Sequence, residues 1–174
     1  FKVLFNKEGQ GSYFDPVFEM ANDSIVEEKG KFSTTVIKED AIKWLKNRKD
    51  DTKPFMLMYQ FKAPHRPWDP GPGYEDYLSD VTLPYPETFN DKYEGRKAAK
   101  DAWMRIDGHM NRKDVKIKPP SGLTEEELIS WNKYGNEDGE FWTPDPKMTD
   151  QERKNWKYQR YVKDYLRVVK GVDD

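Results

Sequence analysis

The hydrophobic pattern has one concentrated stretch, Phe55-Met56-Leu57-Met58-Tyr59-Gln60-Phe61, with Pro54 before it and Pro64 after it. A short apolar run without alternation reads as a strand buried on both faces. Pro64 and Pro67 have no amide proton, so the ladder must stop near Lys62. His65 then lies on the loop just past the carboxyl end of that strand, where open α/β sheets bind ligands. Upstream, Ile37, Ala41, Trp44 and Leu45 recur at helical spacing. They predict a helix from Val36 to about Arg48, capped by Ser33, Thr34 or Thr35, with its tryptophan packed in the core. Helix, polar connector and buried strand make half of a βαβ crossover, which predicts a parallel sheet.

Weaker patterns flank this centre. Phe1 to Phe5 predicts a short strand, Gly9 to Ser12 a turn, and Tyr13 to Phe18 an extended, proline-limited loop. Beyond His65 the chain is proline-rich through Pro72 and again at Leu83-Pro84-Tyr85-Pro86, which suits a stiff rim. A helix is predicted from Lys97 to about Met110, and extended chain from Val115 to Pro120. Thr124 with Glu127, and Thr149 with Glu152, have the spacing of capping boxes. The first opens a short helix through Trp131; Gly135 to Pro146 reads as a loop. The second opens the longest helix, with Tyr158, Tyr161, Val162, Tyr165, Leu166 and Val169 on one stripe. Arg153, Lys154, Lys157, Arg160, Lys163, Arg167 and Lys170 surround that stripe and read as a solvated face.

Composition changes the picture in one respect. The 174 residues fit one domain, yet only 35% are hydrophobic against 36% charged, which is poor provision for a self-sufficient core. An aromatic share of 14% argues against disorder. Many aromatics among few aliphatics point to a segment of a larger domain, whose big side chains pack on polypeptide outside it. The net charge of −2, from 30 basic and 32 acidic residues, supplies no bulk field for nucleic acid or membrane. The absence of cysteine excludes disulfides and thiolate chemistry. No apolar run is long enough for a transmembrane helix and none has the form of a signal peptide. The first residue is Phe1, so a leader upstream is compatible with the sequence. Asn22-Asp23-Ser24 matches a glycosylation acceptor by pattern alone.

Two readings of His65 stand on the residues alone: an ordinary surface-loop histidine, or a ligand-facing imidazole at a strand exit. Lys62 and Arg66 flank it, either as solvated cations or as groups that hold an anion or a sugar hydroxyl. Trp68 reads as packing, and His109 as a solvated bystander.

The run Phe61-Lys62-Ala63-Pro64-His65-Arg66-Pro67 resembles the Pro-His-x-Pro segment of the formylglycine-dependent sulfatases, within the alkaline-phosphatase-like superfamily. The likeness extends to Gly9-Gln10-Gly11-Ser12-Tyr13 with Pro16, to Leu83-Pro84-Tyr85-Pro86, and to Asp91-Lys92-Tyr93-Glu94-Gly95-Arg96. It continues along Trp156 to Arg167 and closes on Val172-Asp173-Asp174. The resemblance implies an α/β fold: a sandwich with a mostly parallel central sheet flanked by helices, with a loop-rich insertion. Residues 1–174 would be an interior segment of one catalytic domain, partnered by the remainder of that domain. It implies hydrolysis of a sulfate ester, on a sulfated glycan or an aryl sulfate, with His65 contacting the sulfate. Lys62 and Arg66 are candidate substrate-binding residues, and Lys62 takes no catalytic role from the resemblance. The family's calcium ion and formylglycine imply ligands and a Cys/Ser-x-Pro-x-Arg motif that do not occur in this sequence, so none of its residues is assigned as a metal ligand. The segment by itself is expected to be inactive. A periplasmic or secreted location follows from the resemblance. Two alternatives remain: a phosphodiesterase or phosphonate hydrolase of the same superfamily, and a glycan-binding module without catalysis.

Overall fold

The computed structural model describes residues 2–5, 11–49, 52–102, 105–110, 112, 114–117, 121–132 and 147–174. The chain divides into two compact units, one of residues 1–77 with 164–174 and one of residues 78–163.

The first unit holds a three-stranded antiparallel sheet in the order β1 (Lys2–Phe5), β2 (Val17–Met20), β3 (Ile25–Glu27). Lys2 faces Met20 and Phe5 faces Val17 across the first pair, and Phe18 faces Val26 across the second. The β2–β3 turn is closed by the Met20 amide donating to the Ser24 carbonyl (2.9 Å), with Asp23 at positive φ. Asp can occupy that region because its short polar side chain tolerates it. Strand β2 takes only the last two residues, Val17 and Phe18, of the extended loop expected from Tyr13 to Phe18. Pro16 limits the ladder to the residues after it.

Helix α1 (Ser33–Lys46) begins three residues before the predicted Val36 and has no side-chain cap, because Phe32 occupies the capping position. The reason lies upstream: the Ser33 amide donates to the Tyr13 carbonyl at 2.7 Å, which satisfies one of the free amides of the first turn without a side chain. Phe32 is also bridged to Phe14. The core of this unit gathers Tyr13, Phe32, Ala63 and Val168, with Phe61, Trp68 and Val172 packed against it. Gly71 lies so close to Phe32 that a β-carbon there would meet the ring at 2.6 Å.

The central apolar run corrects the sequence-based expectation. Phe55 to Gln60 belongs to no strand, and no described residue pairs with it. Met56 is 81% and Met58 69% exposed, and Phe55, Leu57 and Tyr59 are exposed as well. A two-face-buried strand needs a neighbouring strand and covering layers, and the described residues supply none. The crossover and mostly parallel sheet expected for this stretch are therefore absent from the described residues. Trp44 is likewise exposed, its ring 5.3 Å from Phe55 and under the Arg48 guanidinium, so the predicted stripe on α1 is only partly covered.

In the second unit, helix α2 (Lys97–Asp101) and helix α3 (Ile106–His109) replace the single helix expected over this region, because Ala102 and Arg105 are extended. Trp103 of the predicted helix lies outside the described residues. Ile117 donates to the Arg112 carbonyl in a turn (3.0 Å), where extended chain was expected. Gly9, Gln10, residues 118–120 and the predicted loop of 135–146 also lie outside the described residues. Helix α4 (Glu125–Asn132) begins at a capping box: Glu127 Oε2 accepts from the Thr124 amide (2.8 Å) and Thr124 Oγ1 from the Glu127 amide (3.3 Å). Helix α5 (Asp150–Asp173) repeats the device with Thr149 and Glu152.

The cationic side of α5 is not a solvated face. Lys157 is buried, as are Asp164, Arg167 and Val168. In the second unit, Lys154 donates to the Phe89 carbonyl (2.8 Å), Lys157 to that of Asp107 (3.0 Å) and Lys163 to that of Ser79 (3.2 Å). The Gln159 amide pairs with both the N–H and the C=O of Leu83. Residues 83–86 form no ladder, so their carbonyls need side-chain donors, which Gln159 gives to Leu83 and Tyr158 to Pro84. Tyr158 completes an aromatic cluster with Tyr85 and Phe89, at centroid distances of 5.2 and 5.0 Å.

Burial lowers the Lys157 pKa to about 8, with the Arg153 charge adding to the effect and Asp107 opposing it. The unfolded chain then holds a proton that the folded chain has lost between about pH 8 and the ordinary lysine value of 10.5. Stability from this group rises with pH across that window and carries the full burial cost below it. The urea midpoint of Lys157→Met relative to wild type is therefore expected to fall as pH is raised from 7.5 to 10. A gap independent of pH would contradict the account.

Candidate active site

The loop that carries His65 is made of two successive turns. The His65 amide donates to the Lys62 carbonyl (2.9 Å), and the Trp68 amide lies 3.4 Å from the His65 carbonyl. Trp68 sits at positive φ and its ring packs against the core cluster, as expected of a packing residue. Ala63 is buried in that same cluster. The loop is thus pinned by Ala63 on one side of His65 and by Trp68 on the other.

His65 itself is exposed. Its Nδ1 stands 2.6 Å from the Arg66 carbonyl oxygen. A carbonyl can only accept, so Nδ1 carries the proton and Nε2 is the nitrogen left to gain or lose one. One ring nitrogen of an exposed imidazole is thus held by backbone, an arrangement compatible with proton transfer at the other.

The three site residues predicted from sequence fall in this one loop. Lys62 is half-buried, its ammonium 5.4 Å from the centroid of the Tyr13 ring. Arg66 is half-buried beside the imidazole it orients through its backbone. Lys62, His65 and Arg66 thus lie on two consecutive turns of one loop.

Sequence reasoning gave no role to Tyr13. The ring is buried and its hydroxyl donates to the His65 carbonyl at 2.6 Å. Burial first, and then the charge of Asp69, raise its pKa well above the ordinary tyrosine value, so the hydroxyl keeps its proton. The signal available in the sequence was Tyr13's place in the glycine-bracketed segment that ends at Pro16. His109, expected to be solvated, is half-buried and accepts the Arg105 amide on Nδ1 (3.0 Å), closing α3 from within.

No group of three or more His, Asp or Glu among the described residues is placed to hold a metal ion. The sequence contains no cysteine and no Ser-x-Pro-x-Arg. The described residues therefore offer no three-ligand calcium group, and the sequence offers no residue in a formylglycine motif. Among the described residues no helix is long and apolar enough to cross a membrane.

Comparison with known proteins carries the assignment. No family model matches the chain. An N-acetylglucosamine-6-O-sulfatase from Bacteroides thetaiotaomicron is 35% identical over 193 aligned residues, covering 99% of this chain. The solved structure of BT4656 in complex with its substrate D-glucosamine-2-N,6-O-disulfate superposes with a TM-score of 0.77 at 32% identity, again over 99% of this chain. The chain spans 33% of the length of the first relative and 37% of the second. Such agreement in sequence and backbone establishes an alkaline-phosphatase-like α/β fold for the region. Over 99% of its length the chain is similar in sequence to an N-acetylglucosamine-6-O-sulfatase and in backbone to the solved BT4656 structure.

Proposed function

We propose that the protein of which these residues form part hydrolyses sulfate esters of an amino sugar, at the 6-position of a glucosamine unit. The observation that carries this reading is the 35% identity to an N-acetylglucosamine-6-O-sulfatase along 99% of the chain. The D-glucosamine-2-N,6-O-disulfate bound to the solved relative supports the same substrate class. Residues 1–174 serve as an interior segment of the catalytic domain. The exposed run Phe55–Gln60 then finds its flanking strands, in a mostly parallel sheet, on the rest of that domain. The formylglycine nucleophile and its calcium ion belong to that remainder also. A periplasmic or secreted location is part of the same proposal.

The overall change is R–O–SO3⁻ + H2O → R–OH + SO4²⁻ + H⁺. The S–O bond to the sugar breaks, and its electron pair leaves on the sugar oxygen. A sugar alkoxide is a poor leaving group unless protonated as the bond breaks. His65 supplies that proton from Nε2, while the Arg66 carbonyl holds Nδ1–H. Lys62 and Arg66 bind the sulfuryl oxygens or a neighbouring sugar group. Full-length protein is expected to release sulfate from N-acetylglucosamine 6-sulfate at least about a hundredfold faster than it cleaves the matching phosphate mono- or diester. Preference for the phosphate ester would establish the phosphodiesterase alternative. Binding of sulfated sugar with no release would establish the non-catalytic module.

A further inference from the structure

We infer that Tyr13 is a positioning residue for the His65 loop, acting on the proton donor through its hydroxyl and on Lys62 through its ring. The inference rests on the role proposed for His65.

Tyr13 is anchored independently of the loop it touches. Its carbonyl accepts the first amide of α1 (Ser33, 2.7 Å), and the next residue, Phe14, bridges to Phe32. Asp15 donates its amide to the Lys31 carbonyl (3.0 Å). The Tyr13 ring stacks on Phe32 with an interplanar angle of 15° and a centroid distance of 6.0 Å. Gly11, at φ +74°, turns the chain into this clasp, and a left-handed residue there favours glycine. The hydroxyl is therefore held at a fixed point beneath the loop.

From that point it reaches the carbonyl of His65, 52 residues away in sequence. The bond fixes the peptide plane between His65 and Arg66. The following carbonyl, that of Arg66, fixes the imidazole through Nδ1. Two consecutive peptide planes are thereby set, and with them the direction of Nε2. Because the phenol stays protonated, the tie persists across the range in which a sulfatase would be assayed. The face of the same ring carries the Lys62 ammonium in a cation–π contact, with 5.4 Å between the nitrogen and the ring centroid. One side chain thus holds both a proton donor and a substrate-binding cation.

The test is a double-mutant cycle in the full-length enzyme, with thermal unfolding as a check on folding. Tyr13→Phe removes the hydroxyl and keeps the ring. It is expected to lower kcat about 10-fold to 100-fold, the scale of loss when a catalytic group is displaced, with KM changed by less than about twofold. In the His65→Ala background the same change should alter kcat by less than about twofold, since a residue acting only through His65 has nothing left to position. Tyr13→Leu, which also removes the ring, should raise KM in addition. Equal loss of kcat in both backgrounds would reduce Tyr13 to general packing. So would wild-type kinetics for Tyr13→Phe in an enzyme that His65→Ala inactivates. Full activity of His65→Ala would show, without any Tyr13 variant, that the reading of His65 is the part that fails, and the inference would fall with it.

Discussion

Replacing His65 with alanine in the full-length enzyme is expected to lower kcat on a sugar 6-sulfate by about 10²–10⁴-fold, the usual worth of a general acid. KM should change little, because the proton is transferred in the transition state and contributes nothing to ground-state binding. Stability should change little too, since the imidazole is exposed and its Nδ1 bonds to the carbonyl of the very next residue. The loop that carries it is held by Ala63, Trp68 and the Tyr13 hydroxyl, none of which depends on the ring. Steady-state kinetics paired with a thermal melt distinguishes this from unfolding. A loss of activity that tracks a loss of melting temperature would count against a chemical role.

The second large effect is on stability. Asp164 and Arg167 form a buried pair on α5, with Oδ1 to Nη1 at 2.9 Å and side-chain exposures of 1% and 8%. Arg167 also gives its Nε–H to the Tyr77 carbonyl at 2.9 Å. Removing one partner of a buried pair leaves the other charge desolvated and uncompensated, which costs about 3–5 kcal/mol. Asp164→Ala is therefore expected to lower the unfolding free energy by that amount in a denaturant titration of the intact protein. Asp164→Leu combined with Arg167→Met, which removes both charges, should recover a large part of the loss. By contrast Lys29 and Glu27, 3.6 Å apart but 83% and 60% exposed, should yield less than about 1 kcal/mol on substitution. Similar costs for the two pairs would contradict the burial argument.

What could be read from the residues alone was what is encoded locally. Thr124 with Glu127 and Thr149 with Glu152 satisfy one another over three residues, so their helix starts were legible. The start of α1 was not. Its first amide is met by Tyr13, 20 residues upstream, and no local capping pattern reports such a partner. Lys154, Lys157, Lys163 and Arg167 of α5 were misread for the same reason: they reach backbone carbonyls 50 to 90 residues away. The hydrophobicity of Phe55–Phe61 was plain, but burial is a relation between that run and its neighbours, and the described residues do not contain them. At the site, sequence placed Lys62, His65 and Arg66 together because they lie within one short run. Tyr13 enters only through the fold.

The most direct measurement of the central claim is the leaving-group dependence of the His65 effect. An aryl sulfate whose phenolate leaves readily needs little protonation, whereas a sugar alkoxide needs it fully. If His65 donates the proton, kcat of His65→Ala should approach wild type on the activated aryl sulfate while falling by about 10²–10⁴-fold on the sugar 6-sulfate. Equal losses on both substrates would contradict the proton-donor assignment.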